Sequence, residues 1–406
     1  MIGSGVYAVT SMLLGTVVMR VLGADKGGVF FFAFSTLGQH VYTVAYFAMR
    51  PIQIVDVKGE HSFKDYLSLR LITSAAAFIL AIIVGFIYAG ASEKTAVIII
   101  IAAYKILDAV CDCYESEYQR NGRLDMTGKS MTFRTFVSVV AFLIVAFTTK
   151  NLVLASLAMV IAMAAALIIG CMLPIRGVTD RLNQPDKEES NTEVLKTKSV
   201  KDLFSASVWL AAATVLDLYI FSASKYAVDA KLTSAISGYY ATIFIPTSII
   251  YLLANFIIRP LLTKLSIMND EGDEEGFKQT IGKIAGMIGA LTALGMVAAI
   301  LLGPWAMKLI LGSSLEGTTI EALRMPLTII IAGGGCYALA CLIYYVLVIL
   351  KKQKAIFIVY LIGAVIAAVL TNIMTAAFGI TGAAMAYLIS MILVAGAFLI
   401  IYKRSL

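Results

Sequence analysis

Long apolar stretches recur along the whole sequence, and they constrain the fold more than any other feature. Each runs for 18 to 25 residues, long enough to cross a hydrocarbon core of about 30 Å as an α-helix. Backbone groups find no water to bond inside a bilayer, so such segments form helices and not open strands. With 60% hydrophobic and 14% charged residues, the chain cannot bury its apolar surface in water. The sequence therefore predicts an all-α integral membrane protein.

About twelve spans are predicted, in two groups of six on either side of one long polar segment. We place them at about 2–19, 29–50, 67–89, 95–115, 131–148 and 152–173, and then at 203–224, 234–258, 281–303, 325–350, 355–376 and 380–402. The domain organisation that follows is an N-lobe at 1–176, a linker at 177–202 and a C-lobe at 203–406.

The basic residues orient these spans. Of the 32 Lys and Arg residues, 23 fall in loops on one side of the membrane and 8 on the other, while Lys105 lies within a span. The positive-inside rule then predicts that both termini and the linker are cytoplasmic. This bias also explains most of the net charge of +7, which is no sign of a nucleic-acid partner. The sequence opens on an apolar segment without a basic region, which we interpret as a first helix, and we expect a few native residues to precede it.

A short sequence repeat relates the two halves. "FAMRP" (47–51) and "FIIRP" (256–260) are 209 positions apart, and each is predicted to end the second span of its half, because proline stops a helix. Repeated halves are common in transporters, which bind their substrate at the interface between the repeats. The repeat therefore predicts two six-helix lobes, related by a pseudo-two-fold axis along the membrane normal; the family resemblance described next implies a central cavity between them.

Three longer stretches resemble one family. They are "VVMRVLGADKGGVFFFAF" (17–34), "EYQRNGRLDMTGKSMTFR" (117–134) and "AFGITGAAMAYLIS" (377–390). They resemble the first hairpin, the basic loop after span four and the entry to span twelve of the oligosaccharide flippases. These form the polysaccharide-transporter (Wzx-type) branch of the multidrug/oligosaccharidyl-lipid/polysaccharide exporter (MOP) superfamily, to which the MATE transporters also belong. The resemblance implies a bacterial inner-membrane protein that passes undecaprenyl-pyrophosphate-linked sugar repeats from the inner to the outer leaflet for cell-surface polysaccharide assembly.

Two other functions remain open at this point. A cation-coupled exporter of small drugs has the same fold, and only the resemblance and the arginines at span ends favour an anionic substrate over a cationic one. A membrane-embedded polymerase or glycosyltransferase is less favoured, because the outer loops are short and carry no histidine. The chain is thus expected not to be an enzyme. "GRLDMTGKS" (122–130) has the wrong spacing for a phosphate-binding loop, so no ATP site is predicted.

Five basic residues are candidates for contact with a pyrophosphate. Arg50 and Arg259 end equivalent spans of the two halves, where they either reach the headgroups or clamp phosphate oxygens through paired hydrogen bonds. Arg20 and Lys26 lie at the outer end of the first hairpin, and Lys225 lies at the outer side of span seven. These three are predicted to form the exit counterpart of the clamp.

Charges within the spans are candidates for ion coupling or gating, because each costs about 2.5–3.5 kcal/mol at a helix centre on insertion scales. Lys105, Asp108, Asp112 and Glu115 share one face of span four. They form either a self-neutralising Lys105–Asp108 pair or a polar stripe where Asp108 or Asp112 carries a proton or cation. Asp217, in span seven, has no basic neighbour along its helix and is predicted to couple an ion or to bond another helix.

Two helix-breaking features are candidate hinges for alternating access. Pro246 lies in mid-span eight and Gly334 lies in the triple glycine of span ten, where close helix packing is an equal explanation. No cofactor and no metal are predicted beyond a coupling proton or sodium ion, since the five cysteines lie in or beside apolar spans. The expected partners are a lipid-linked oligosaccharide and membrane lipids, and the default state is a monomer.

Overall fold

The computed structural model describes residues 2–56, 59–175, 199–312 and 315–405, and their side chains apart from those of 2–9, 12 and 259. All regular structure in these ranges is helical. Within them, eight helices are long and apolar enough to cross a membrane. The prediction of an all-α membrane protein is confirmed. The chain divides into two compact units, Met1–Val215 and Leu216–Leu406.

The helices of the first unit correspond to the six predicted spans. They are α1 (Ile2–Leu22), α2 (Ala24–Phe31), α3 (Gly38–Tyr46), α4 (Met49–Val55), α5 (Phe63–Ala89), α6 (Glu93–Arg120), α7 (Leu124–Thr149) and α8 (Leu152–Leu167). A π-helix over Phe32–Leu37 joins α2 to α3, so these two form the second span. Another π-helix, Ile168–Met172, continues α8.

The second unit contains the other six spans in five stretches of helix. They are the second half of α9 (Val200–Lys231), α10 (Ser234–Ile243) with α11 (Ile245–Asp270), α12 (Glu274–Leu311), α13 (Ile320–Ile349) and α14 (Gln353–Lys403). Non-helical dihedral angles at Gly379 (φ 55°) divide α14 into the predicted spans eleven and twelve. The predicted break between 376 and 380 is therefore correct, and glycine provides it because it tolerates positive φ.

Polar residues begin the helices as elementary capping predicts. The side chain of Ser62 accepts a hydrogen bond from the Asp65 N–H, and Asp65 accepts one from the Ser62 N–H, which makes a capping box at the start of α5. Ser92 caps α6 more simply, since its side chain accepts a hydrogen bond from the Thr95 N–H. These caps fix where each span leaves the polar loops.

The two prolines of the repeat do not end their helices, and that prediction is wrong. In the first copy the chain leaves the helix at Phe47 and Ala48, both with left-handed φ near 50°. Pro51 then lies in the first turn of α4, where a missing N–H costs nothing. In the second copy Pro260 lies inside α11, which continues to Asp270.

The division between the units falls inside α9; most of the polar linker (177–198) lies outside the described residues. The first turns of α9 belong to the first unit because they pack there. Leu203 is buried with Met49, Tyr66, Leu69 and Cys113. Phe204 stacks on Phe47 with the ring centres 5.3 Å apart. The predicted lobe boundary at 203 stays a prediction.

Candidate functional site

The charged residues of α6 lie in the interior of the first unit. Lys105, Asp108, Asp112 and Glu115 are each at most 3% exposed. They follow one another at intervals of three or four residues, so they share a helix face. Charges buried to this degree require partners on neighbouring helices.

Asp112 is shared by two arginines. Arg50 donates to its Oδ1 and also to Gln119 Oε1 at 3.0 Å, while Arg70 Nη2 lies 3.3 Å from Oδ2. Arg70 is fully buried, and its Nη1 donates to the carbonyl of Ala45 at 3.3 Å. That carbonyl lies two residues before the left-handed Phe47, and the Thr73 hydroxyl donates to it as well, at 2.8 Å.

Arg134 of α7 joins the other two carboxylates. It pairs with Asp108 and, through Nε at 2.8 Å, with Glu115. The Ser130 hydroxyl also donates to Glu115, at 3.0 Å. The Lys105–Asp108 pair considered from sequence alone does not form, because a planar guanidinium from α7 takes both carboxylates. Sequence spacing gives no sign of this contact, because Arg134 lies on another helix, 26 residues from Asp108 along the chain.

Lys105 instead lies on an aromatic ring. Its ammonium is 3.9 Å from the centre of the Phe34 ring, a cation–π contact. Phe34 belongs to the π-helix of the second span. A Cβ at Gly38 would collide with the carbonyl oxygen of Ala33 and would also lie 3.3 Å from Lys105 Cγ. Within the described residues, no carboxylate lies at ion-pairing distance from this ammonium.

Asp217 of α9 has a hydroxyl partner in the second unit. Tyr337 of α13 donates to its Oδ2 at 2.9 Å. Tyr337 in turn packs against Phe221 at 4.9 Å and Tyr251 at 5.1 Å between ring centres. The predicted partner on another helix is therefore a tyrosine, and the ion-coupling role of Asp217 stays a prediction.

Lys225, two turns further along α9, is partly buried among aromatic rings. Its ammonium lies 4.4 Å from the centre of the Phe244 ring and 4.9 Å from that of Phe221. No carboxylate of the described residues lies at ion-pairing distance. Phe244 is the residue that separates α10 from α11. Each unit therefore places a lysine ammonium on a phenylalanine at the interruption of its own second span.

Three further basic residues, Arg20, Lys26 and Arg259, are predicted to contact the pyrophosphate. Arg20 is exposed at the end of α1. Lys26 donates to the carbonyl of Lys150 at 3.1 Å, where that residue ends α7 with a left-handed φ of 52°. Arg259 lies on α11, but its side chain is outside the described set. The pyrophosphate contacts predicted for these residues stay predictions.

The candidate hinges differ from one another. Pro246 lies in the first turn of α11, directly after the interruption at Phe244, so a break in span eight is present. Helix α13 is continuous through Gly334. A Cβ on Gly334 would lie 2.7 Å from Thr247 Cγ2 of α11. This contact supports the packing explanation for that glycine.

The repeat is longer than its five-residue core. "VYTVAYFAMRP" (41–51) and "IYLLANFIIRP" (250–260) share Tyr, Ala, Phe, Arg and Pro at equivalent positions. The helix interruptions also correspond. With the same offset of 209 positions, Phe244 aligns with position 35, which lies within the π-helix Phe32–Leu37. Extending the alignment upstream from the arginines would have found Tyr42 and Tyr251, which our sequence analysis missed.

Comparison with known proteins supports the fold. No protein-family model matches the chain, and no curated protein does. Among solved structures, it is similar to an inward-facing multidrug resistance MATE family transporter of the MOP superfamily. The TM-score is 0.70 at 13% identity, covering 98% of this chain and 94% of that one. For the lipid II flippase MurJ in an inward closed conformation, the TM-score is 0.69 at 14% identity, covering 99% and 87%.

A third similar structure is notable for the polarity of its own binding pocket. It is a MOP superfamily transporter from Pyrococcus furiosus, described as having a binding pocket of reverse polarity that suggests a different function. The TM-score is 0.53 at 12% identity, covering 99% of this chain and 92% of that one. At such identities the similarity establishes a shared fold. The chain therefore has the fold of MATE transporters and of MurJ, as the resemblance implied.

Proposed function

We propose that this chain is a secondary transporter that moves a polyprenyl-pyrophosphate-linked oligosaccharide from the inner to the outer leaflet by alternating access. The proposal includes the resemblance to the Wzx-type flippases, a location in the bacterial inner membrane and cytoplasmic termini. Its fold-level support comes from the lipid II flippase and the other transporters of similar structure.

The observation that carries the proposal is the environment of Lys225. Its ammonium lies among Phe221 and Phe244, without a carboxylate of the described residues at ion-pairing distance. Lys225 lies at the outer end of its span and is partly buried, and a buried charge is costly unless it is compensated. An anionic group of the substrate, such as a pyrophosphate, would compensate it when bound.

The charges of the first unit agree with an anionic substrate. Asp108, Asp112 and Glu115 are engaged by Arg50, Arg70 and Arg134, so these carboxylates are compensated before any cationic ligand arrives. Lys105 is an additional positive charge on the same helix face. The named cluster therefore has four cations and three carboxylates, an excess that favours an anion.

A second candidate function is the cation-coupled exporter of small molecules. It is favoured by Asp217, a carboxylate inside a span whose described partners are the hydroxyls of Tyr337 and Tyr360 and not a cation. A proton or sodium ion bound there could also drive a flippase, so this feature is compatible with both functions. The proposal has no ATP-dependent step and takes the monomer as the working unit.

The direct test is translocation in proteoliposomes. Wild type, Lys225→Met and Lys225→Arg are compared for movement of a fluorescent polyprenyl-pyrophosphate oligosaccharide, and for uptake of a cationic dye. The proposal expects lipid movement by wild type and by Lys225→Arg, with a loss of about tenfold or more in Lys225→Met. Dye transport without lipid movement would establish the exporter instead. Lys231→Met, at the exposed end of α9, is the matched control.

A further inference from the structure

Two tyrosines occupy equivalent positions in the repeat, each eight residues before its arginine. Tyr42 precedes Arg50, and Tyr251 precedes Arg259. Both tyrosines are partly exposed. On the continuous helix α11, eight residues correspond to about 12 Å along the axis, a distance that a short saccharide attached to a phosphate can bridge.

In the first unit, Tyr42 is the end ring of a stack. It lies on Tyr46 with ring centres 5.8 Å apart and an interplanar angle of 19°. The guanidinium of Arg70 lies over the Tyr46 ring at 5.2 Å. The Arg70 guanidinium, the Tyr46 ring and the Tyr42 ring therefore follow one another in contact, with Tyr42 at the end.

In the second unit, Tyr251 ends a longer row of tilted aromatic rings, with two rings between it and a cation. It packs on Tyr337 at 5.1 Å, Tyr337 packs on Phe221 at 4.9 Å, and the Lys225 ammonium lies over Phe221 at 4.9 Å. Tyr337 is held in place by its hydrogen bond to Asp217. Each unit thus places a tyrosine of the repeat at the end of a row of aromatic rings whose other end lies under a cation.

We propose that Tyr42 and Tyr251 are carbohydrate-stacking residues that bind pyranose rings of the substrate, an inference that rests on the proposed function. The C–H groups on one face of a pyranose carry a small positive charge, and an aromatic face carries a negative one. A rigid, supported ring stacks on a sugar with little loss of rotamer freedom. Because every pyranose has such a face, this recognition tolerates changes of sugar in a way that hydrogen-bond recognition does not.

The test compares two fluorescent ligands that differ by one sugar. Dissociation constants are measured for bare polyprenyl pyrophosphate and for the same lipid carrying one N-acetylglucosamine, with the full chain in nanodiscs. The variants are Tyr42→Leu, Tyr251→Leu and Tyr42→Phe. The control is Tyr219→Leu, a partly exposed tyrosine that belongs to neither stack. The unfolding temperature of each variant is recorded to confirm that it is folded.

We expect wild type to bind the sugar-bearing lipid about tenfold more tightly than the bare lipid. The Leu variants should lose this preference while keeping their affinity for the bare lipid, and Tyr42→Phe and Tyr219→Leu should keep both. Equal binding of the two lipids by wild type, or an unchanged preference in both Leu variants, would overturn the inference and leave the proposed function standing. Failure of wild type to bind either lipid would overturn both.

Discussion

The ammonium of Lys105 lies 3.9 Å from the centre of the Phe34 ring, where a π-helix interrupts the second span. The neighbouring carboxylate, Asp108, is one turn further along α6 and pairs with Arg134 of another helix. Lys105 is therefore a buried cation whose loss breaks no ion pair among the described residues. Lys105 and Asp108 share one face of α6, but only Asp108 belongs to an ion pair, so replacing each of them should have a different effect.

Replacing Lys105 by methionine should not reduce the stability of the protein. Methionine fills a similar volume and removes an ammonium that costs about 2.5–3.5 kcal/mol within a span. We expect the free energy of unfolding, measured by denaturant titration in detergent, to stay constant or rise. A large loss would mean that Lys105 forms the pair with Asp108 after all. Translocation of the lipid-linked probe by this variant should fall if the ammonium contacts the substrate.

Replacing Arg134 by methionine should destabilise the protein strongly. The change leaves Asp108 and Glu115 buried without their cation, and breaking such a pair typically costs about 3–5 kcal/mol. The same unfolding titration measures it. Arg123→Met is the matched control, because Arg123 pairs with Asp125 at the surface and its loss should change little. Similar effects in the two variants would contradict the buried network.

Replacing Asp217 by asparagine tests ion coupling directly. Asparagine keeps an oxygen that accepts the hydrogen bond from Tyr337, but it cannot bind a coupling proton as a carboxylate does. If Asp217 couples transport, a pH or sodium gradient should no longer accelerate translocation, while movement without a gradient persists. The measurement is the initial rate in proteoliposomes with and without each gradient. A full gradient response in the variant would remove Asp217 from the coupling role, and Asp125→Asn at the surface serves as the control.

Replacing Gly334 by alanine should reduce stability more than transport. A Cβ at this position would lie 2.7 Å from Thr247, and overpacking of this kind costs about 1–3 kcal/mol. Gly286→Ala is the matched control, because a Cβ there meets open space. The unfolding temperature and the transport rate are measured on both variants. A normal unfolding temperature with slow transport would instead support the hinge function that the sequence allowed.

Sequence patterns predicted the spans because apolar length and caps act locally. The twelve segments agree with the helices to within a few residues, except where helices continue into the loops, as α11 does beyond Pro260. The effect of a proline depends on its position in the helix: Pro51 is harmless in the first turn of α4, and Pro260 is accommodated in the interior of α11. The left-handed residues Phe47 and Ala48, which do end α3, carry no local signal, because bulky residues adopt positive φ rarely.

The sequence by itself determined that the chain spans a membrane as helices and that its halves share a motif. Both follow from hydrophobicity and spacing along one dimension. Only the tertiary structure decided which charges pair, because Asp112 meets Arg50 and Arg70 from helices far away in sequence, and Arg134 takes Asp108 from Lys105. Ion pairing inside a protein depends on three-dimensional distance and on burial, neither of which can be read from one helix. For the same reason, the sequence does not show that Lys105 and Lys225 lie on aromatic rings, because those rings come from other helices.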